Sequence, residues 1–304
     1  MDEATAELAA LVALLRRADG GWADIAAEVQ EEGSALRVLH RQAGHTETLF
    51  PDELAPATLL ESATDSIERW RAAGIEVHAF TDPHYPAQLR AIREMPPLLF
   101  TRGRPDPDTR AVAVVGSRGA DEAAQRIARS VAASLVARDV TVVSGLAQGI
   151  DTAAHEATLE AGGRTVAVIG TGLQRTYPAA NRDLQQRIAA DGLVISQFWP
   201  ESGPAQHQFP MRNAVMSGYA AATIVIEAGP TSGARIQARL ALQHGRPVLL
   251  TDQVMRQEWA RQIAERPGVH VVHSTAELLS VVDDILDRIP TETSLEDFPD
   301  LAAR

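Results

Sequence analysis

Two kinds of hydrophobic pattern alternate along the last two thirds of the chain. Short uninterrupted runs rich in Val and Ile, such as AVAVVG at 111–116 and TIVIE at 223–227, are each followed by a segment with apolar residues at three- and four-residue spacing. The runs are typical of strands buried on both faces, and the spacing is typical of amphipathic helices. The alternation predicts an α/β fold, a doubly wound, Rossmann-like parallel sheet over residues 111–288.

The pattern also predicts the individual elements of this sheet domain. The predicted strands are 111–116, 140–145, 165–170, 192–196, 222–228, 246–251 and 269–272. The predicted helices are 120–139, 150–163, 181–191, 212–220, 232–245, 255–268 and 275–289.

The flanking segments have different patterns. Residues 1–75 are acidic with apolar residues at helical spacing, which predicts a small N-terminal helical domain. Residues 76–110 contain many prolines and predict a connector without long regular elements, which packs through apolar anchors. These anchors are Tyr85, Leu89, Leu98, Leu99 and Phe100. Residues 289–304 predict a loose acidic tail.

The composition indicates the cellular compartment in which the protein is expected. The chain has 304 residues, 45% of them hydrophobic, and it contains no cysteine. Disulfides and thiolate metal sites are therefore excluded. No apolar run is long enough to span a membrane, and the first residues are acidic before they are apolar, unlike a signal peptide. We expect a cytoplasmic protein without a membrane partner.

Charge is distributed unevenly along the chain. The formal net charge is −12, yet residues 111–250 hold 12 of the 28 basic residues and 10 of the 40 acidic ones. All 28 basic residues are arginines, which grip phosphate in two places but form no Schiff base. The sheet domain is therefore where an anionic ligand is best tolerated.

Four loops that follow predicted strands combine glycine with a hydroxyl side chain or an arginine. The loops are Gly116-Ser117-Arg118-Gly119, the segment 144–151 that begins Ser144-Gly145 and includes Gly149, the segment 170–175 that ends at Arg175, and the segment 227–233 that ends Ser232-Gly233. The carboxyl ends of parallel strands share one edge, where helix N-termini bind anions. Glycine and serine are also ordinary turn residues, but four such loops favour a phosphate-binding edge. Neither GxGxxG nor GxxxxGKS/T occurs, so nicotinamide-binding and P-loop proteins are not indicated.

Three features of this edge have alternative interpretations. Asp151 and His155, four residues apart on a helix, suggest a metal pair or an acid–base dyad. We favour a structural pair, in which Asp151 accepts backbone amides and His155 hydrogen-bonds to it. Glu227 lies at the end of a buried strand. Its carboxylate is either a general base or a group that accepts hydrogen bonds from loop amides or pairs with an arginine. Arg212 and Asn213 precede a helix at this edge, where a proline also marks an ordinary helix entry.

A set of motifs in chain order resembles the DNA-processing protein A (DprA/Smf) family. The motifs are DPHYPAQLRAIREMPPLLFTRG, GSR, SGLAQGIDTAAH, AVIGTGLQRTYPAAN, FPMRN and IEAGPTSGARIQARLALQHGRPV, and they cover about residues 80–250. The resemblance implies single-stranded DNA binding by the Rossmann domain, loading of the recombinase RecA during natural transformation, and a homodimer. It implies no catalysis, metal or cofactor.

The resemblance also implies which residues face DNA. By motif position these include Arg118, Ser144, Gly145, Gly149 and Arg212, with Arg175 as a weaker member. Together with the loop analysis, the predicted DNA-binding set is Gly116, Ser117, Arg118, Ser144, Gly145, Gly149, Arg175, Arg212, Asn213, Ser232 and Gly233. Aromatic residues that could stack on bases nearby are Phe198, Trp199, Phe209 and Tyr219.

The chain departs from the family pattern, which marks it as a divergent member. Ala214 stands where the family usually has a second arginine after RN, and Gln197 stands where it has glutamate. The family's Pro-Gly loop is absent after Leu250, and no C-terminal winged helix is visible.

Two alternative functions are kept beside DNA binding. One is a nucleotide sensor or a nucleoside-monophosphate N-glycosidic hydrolase, as in LOG-like Rossmann proteins. Their PGGxGTxxE pattern is replaced here by EAGPTSGARIQA, which lacks the matching glutamate and disfavours hydrolysis. The other is an interaction protein that has lost its ligand and whose acidic flanks dock a basic partner.

Overall fold

The N-terminal part of the protein is a helical domain, as predicted. The computed structural model describes residues 2–18, 21–44 and 55–289, and places four helices before the first strand. They are α1 (Glu3–Arg17), α2 (Trp22–Glu32), α3 (Ala35–Gly44) and α4 (Pro56–Ala72). Helix α1 is buried from Leu8 to Leu15, because it packs between α3 and α4. The predicted acidic tail lies outside the described residues from 290 onward.

The rest of the described chain forms a single mixed sheet flanked by helices. Its strands are β1 (Glu76–Ala79), β2 (Leu98–Gly103), β3 (Ala111–Gly116), β4 (Thr141–Ser144), β5 (Thr165–Val168), β6 (Leu193–Ser196), β7 (Ala222–Glu227), β8 (Val248–Thr251) and β9 (Val269–Val272). Its helices are α5 (Ala87–Arg90), α6 (Glu122–Val136), α7 (Ile150–Glu160), α8 (Arg182–Asp191), α9 (Gln208–Tyr219), α10 (Gly233–Gln243), α11 (Asp252–Met255), α12 (Glu258–Ile263) and α13 (Thr275–Leu286).

The order of the strands places a crevice at the centre of the sheet. The order is β1-β2-β6-β5-β4-β3-β7-β8-β9, and all pairs from β6 to β9 are parallel. Beyond β3 the chain winds first towards β6 and later, from β7, in the opposite direction. Ligands of open α/β sheets bind outside the carboxyl ends of the strands at such a reversal. The predicted doubly wound sheet is confirmed, and its reversal lies between β3 and β7.

The proline-rich segment adds two strands to this sheet. Strand β1 pairs with β2, and β2 pairs with β6, both antiparallel. The prediction of a connector did not include these strands, because their runs are short and bounded by prolines. The predicted anchors Tyr85, Leu89 and Phe100 are buried, so the segment packs firmly against the rest of the chain.

Two hydrophobic cores cover the two faces of the sheet. One contains side chains of α1 to α4 together with α9, α10 and α12. The other contains side chains of α6, α7 and α13. Val112 and Val114 of β3 belong to the second core, and Ala111, Ala113 and Val115 belong to the first, as expected for a strand buried on both faces.

Two helices differ from their predicted bounds. Helix α9 begins at Gln208 and therefore includes Phe209 and Pro210, which were predicted to precede it. A proline fits here because the first turn of a helix has no partners for its amide groups. The helix predicted at 255–268 is shorter in the structure, where it is α12 (Glu258–Ile263), because Gln257 before it has an extended backbone (φ −88°, ψ 138°). The separate helix α11 (Asp252–Met255) was not predicted. Among the described residues, no helix is long and apolar enough to cross a membrane.

Candidate nucleic-acid interface

A groove lies outside the carboxyl ends of β3 and β7. Its volume is about 430 Å³, and the loop after β3, the start of α9 and the start of α10 form its walls. Seven residues of the predicted DNA-binding set line it, namely Gly116, Ser117, Arg118, Arg212, Asn213, Ser232 and Gly233. A smaller side pocket, lined by Gly145, Gln148 and Tyr177, shares Arg118, Phe209 and Arg212 with the groove. The two cavities form one surface, which we call the groove.

Two glycines allow the loops of the groove to pack closely. Gly149 has φ +77°, and a Cβ atom there would overlap the carbonyl oxygen of Ser117. The amide of Ile150 donates to that same oxygen at 3.3 Å, so the loop after β3 is tied to the start of α7. A Cβ atom on Gly145 would overlap the guanidinium of Arg212. Both glycines therefore shape the groove without exposing a side chain to it.

Arg212 forms a cationic floor beneath the groove. Its Nη1 donates to the carbonyl oxygens of Gly145 and of Val168, the latter at 2.7 Å, and its Nε donates to Oδ1 of Asn213 at 3.0 Å. Burial lowers the pKa of Arg212 to about 10, while the nearby Asp151 acts in the opposite direction. The side chain therefore stays charged at neutral pH. It holds the ends of β4 and β5 together with its hydrogen bonds, and its charge lies at the cavity wall.

Arg118 presents an exposed guanidinium beside aromatic rings. Its Cζ lies 5.3 Å from the ring centroid of Phe209, and that ring lies 5.6 Å from the ring of Tyr177. Tyr177 is 45% exposed, which is unusual for a large aromatic residue. A cation and two rings at one opening can hold a phosphate beside a base. Tyr177 was not predicted to lie at the groove, although it follows β5, whose carboxyl end lies at the same edge of the sheet.

The other aromatic residues expected to stack on bases pack inside the protein. The ring of Trp199 lies 5.1 Å from Trp22 and 5.8 Å from Trp70, so it holds the N-terminal helices against the sheet. Phe198 is buried, and the Tyr219 hydroxyl is buried where it donates to Asp108. Of the four expected residues, Phe209 alone lies at the groove. The prediction was wrong for the other three, because distance along the chain does not show which side of the sheet a residue faces.

Asp151 and His155 make separate structural contacts. Oδ2 of Asp151 accepts the amides of Gly145 at 3.2 Å and Ala147 at 3.3 Å, as predicted. His155 Nδ1 instead pairs with Oγ1 of Thr165 at 2.7 Å, so the predicted hydrogen bond between Asp151 and His155 was wrong. Burial, with help from Arg212, lowers the pKa of His155 to about 3, and burial raises the pKa of Asp151.

The start of α10 is fixed at the opposite wall of the groove. The Ser232 hydroxyl accepts the amide of Ala234 at 3.2 Å, and Nδ2 of Asn213 donates to the carbonyl oxygen of Gly233 at 3.3 Å. The helix thus presents its N-terminal end to the cavity. The amides and dipole of such an end favour an anion.

Glu227 lies at the rim without an arginine partner among the described residues. On β7 it lies opposite Gly116 of β3. Partial burial raises the pKa of Glu227, and repulsion from the Asp121 carboxylate raises it further. Asp121 in turn caps α6 by accepting the amide of Ala124 at 2.8 Å. The sequence left open a general base, or a carboxylate that holds loop amides or an arginine, and of these the pairing with an arginine is not found among the described residues.

Three residues of the predicted set do not line the groove, and one of them, Gly149, only holds its loops together. Ser144 is buried and its hydroxyl donates to the carbonyl oxygen of Val114 at 2.7 Å. Arg175 lines a separate cavity of about 790 Å³ with Arg102 and Arg182, and its Nε donates to the carbonyl oxygen of Glu201 at 3.3 Å. The loop after β5 folds away from β3 at that point, which its position in the sequence does not reveal.

Comparison with known proteins matches the sheet domain to a described family. The family model for DNA recombination-mediator protein A matches residues 76–290. Protein Smf of Synechocystis is 37% identical over 211 residues, which cover 67% of this chain and 52% of that protein. DNA processing protein DprA of Streptococcus pneumoniae is 44% identical over 168 residues, or 55% of this chain and 59% of that protein. The chain thus spans between half and three fifths of the length of these curated relatives.

Two solved structures share the fold. The X-ray structure of DNA processing protein A from Streptococcus pneumoniae superposes with a TM-score of 0.69 and 30% identity, and it covers 92% of this chain and 98% of that one. The corresponding protein from Helicobacter pylori, described for its single-stranded DNA binding mode, has a TM-score of 0.60 and 22% identity over 70% of this chain and 97% of that one. These similarities agree with the order of motifs along the sequence.

Proposed function

Because the chain belongs to the DNA recombination-mediator protein A family, we propose that it binds single-stranded DNA in the groove between β3 and β7. The protein acts in the cytoplasm during recombination and natural transformation, and its role is binding rather than catalysis. A phosphate of the strand lies against Arg118 and the start of α10. A base stacks on Phe209 or Tyr177.

The placement of Arg118 beside the half-buried ring of Phe209 and the exposed ring of Tyr177 is the observation that carries this proposal. Single-stranded DNA offers alternating phosphates and flat bases, and its binding sites combine cations with stacking surfaces. Here the guanidinium, the Phe209 ring and the Tyr177 ring follow one another along a single opening. The description of the Helicobacter pylori relative as a single-stranded DNA binder supports the same ligand class.

Hydrolysis of nucleotides is the weaker alternative at this site. Asp151 is the one carboxylate among the residues that line the groove, and its Oδ2 is occupied by two backbone amides. A general base needs a free lone pair that points at its proton donor. A nucleotide sensor would still fit the anion-binding end of α10, and competition separates the two ligands. Oligo-dT should displace a labelled strand at concentrations where a mononucleotide does not.

Arg118→Ala tests the DNA-binding proposal directly. A charge-assisted hydrogen bond contributes about 1.5 kcal/mol or more, so affinity for labelled oligo-dT should fall by roughly tenfold. Fluorescence anisotropy at fixed low salt measures it. Arg126→Ala is the matched control, since Arg126 is exposed on α6 and pairs with Glu122 away from the groove. Equal affinities of the two variants, or no binding by the unchanged protein at micromolar concentration, would contradict the proposal.

Loading of RecA and assembly into a homodimer belong to the same proposal. Family membership supports both. Light scattering at several protein concentrations measures the oligomeric state. The assembly rate of RecA filaments on DNA coated with single-strand-binding protein measures loading.

A further inference from the structure

A second cleft opens beside the groove, between α10 and α12. Its volume is about 430 Å³, and it shares Thr231, Ser232 and Ile236 with the groove. The shared residues lie just before and within the first turn of α10, between the two cavities. A chain molecule that fills the groove can therefore continue into the cleft past the start of α10.

Three arginines line the cleft and no acidic residue does. Arg235 and Arg239 lie on α10, and Arg266 follows α12. All three are exposed, and none forms an ion pair with a carboxylate of the described residues. Residues four apart on a helix are neighbours with Cβ atoms about 6 Å apart, so Arg235 and Arg239 place two positive charges on one face of α10. A polyanion would be attracted by both charges.

The guanidinium groups are available to a ligand. Arg235 donates one hydrogen bond, to the carbonyl oxygen of Pro230 at 3.1 Å, while those of Arg239 and Arg266 make none to other described side chains or carbonyls. Glu258 and Glu265 lie nearby in sequence but do not line the cleft. Oε1 of Glu258 accepts a hydrogen bond from Gln262 at 3.2 Å. The positive field of the cleft is therefore not neutralised by its own walls.

The floor of the cleft is apolar, which suits a nucleotide chain better than a free inorganic anion. Ile236, Leu242, Trp259 and Ile263 form it. Trp259 is buried and its Nε1 donates to the carbonyl oxygen of Ala228 at 3.2 Å, so the indole is part of the floor rather than a mobile stacking ring. The arginines at the rim of the cleft can contact the phosphates of a DNA strand, and the apolar floor can contact its sugars.

We propose that the α10–α12 cleft holds the phosphodiester backbone of the same DNA strand after it leaves the groove. The inference rests on the proposed function, because it extends the strand that the groove binds. It also accounts for a departure of this chain. Ala214 is buried on α9, at the position where the family usually has a second arginine. Arg239 and Arg266 supply exposed positive charges further along the proposed path of the DNA strand.

The double substitution Arg239→Ala with Arg266→Ala tests the cleft. Each phosphate contact to single-stranded DNA contributes about 0.7 to the slope of log affinity against log salt, so the slope should become shallower by about 1.4. The loss should depend on strand length. Oligo-dT of about 16 nucleotides should bind more weakly than to the unchanged protein, while oligo-dT of about 5 nucleotides, which fits the groove alone, should bind equally well.

A charge-matched variant separates this effect from a change of net charge. Arg126→Ala with Arg187→Ala removes two exposed arginines from α6 and α8, which do not line the cleft. Its salt slope should equal that of the unchanged protein. If the cleft variant keeps both its slope and its affinity for the long strand, the inference is overturned. If the unchanged protein binds neither strand, the proposed function itself has failed.

Discussion

The two edges of the parallel sheet use arginine in opposite ways. At the amino edge, Arg164 meets a buried carboxylate, and both oxygens of Asp108 are fully occupied. Oδ1 accepts from Arg164 Nε at 2.7 Å and from the Thr141 hydroxyl at 2.8 Å. Oδ2 accepts from Arg164 Nη2 at 2.8 Å and from the Tyr219 hydroxyl at 2.6 Å. Asp108 therefore neutralises Arg164, and this ion pair has no charge left to offer a ligand.

At the carboxyl edge the arginines lack such partners. Arg212 donates to two backbone carbonyls and an amide side chain, and Arg118 rests on an aromatic ring. Carbonyl oxygens satisfy donors without cancelling the positive charge. The number of arginines at an edge of the sheet therefore does not identify a binding site. What distinguishes Arg164 from Arg118 and Arg212 is a carboxylate that accepts hydrogen bonds directly from the guanidinium.

Asp108→Asn should have the largest effect and should act on the amino edge alone. Asparagine tolerates the positive φ of 47° at this position but leaves Arg164 as a buried charge without a counterion. Loss of one partner of a buried ion pair costs about 3–5 kcal/mol of unfolding free energy. Urea denaturation measures it. Asp106→Asn, at an exposed neighbour, should change stability by less than about 0.5 kcal/mol. Comparable losses in the two variants would refute the contrast between the edges.

Gly145→Ala should affect the carboxyl edge and its ligand together. The added Cβ would overlap the Arg212 guanidinium, which must then shift from the floor of the groove. Overpacking of this kind costs about 1–3 kcal/mol of stability, and affinity for oligo-dT should fall as well. Gly119→Ala, in the same groove, meets no atom within 4 Å and should leave both unchanged. Denaturation and anisotropy are measured on both variants. An affinity loss equal in the two would show that Arg212 has no part in binding.

At neutral pH the smallest expected effect belongs to His155, because its contribution to the pH dependence of stability develops only as pH falls below 6.5. Its folded-state pKa of about 3 lies below the ordinary value of 6.5, so between these pH values the unfolded chain binds the additional proton. Unfolding free energy should therefore be complete above pH 6.5 and decrease as pH falls, by at most about 1.4 kcal/mol per pH unit.

His155→Asn isolates this contribution. Asparagine can still hydrogen-bond to Thr165 but does not titrate. The raised pKa of Asp151 contributes in the opposite direction, and it cancels when the unfolding free energy of the variant is subtracted from that of the unchanged protein at each pH. The curves should converge as pH decreases from 6.5 towards 4. Parallel curves over that range would show that His155 becomes protonated in the folded protein.

Much of the fold followed from local patterns. Buried strands such as β3 and β7 read as uninterrupted Val and Ile runs, and their bounds agree with the predicted ones within a residue or two. Strands β1 and β2 were not predicted, because antiparallel pairing with β6 depends on the partner and not on the short runs themselves. The short helix α11 and the extended backbone at Gln257 likewise have no clear signal in the sequence.

Local sequence patterns were enough to predict the α/β class, the glycine-rich loops at one edge and the order of the family motifs. These depend on hydrophobic periodicity and on glycine, which act over a few neighbouring residues. Which side chains meet depends on how distant segments pack against one another. This packing buried Ser144, turned Arg175 into another cavity, set Tyr177 beside Arg118, and joined the groove to an arginine-lined cleft. The physical reason is that packing between distant segments, rather than position along the chain, selects which donors are satisfied internally and which remain for a ligand.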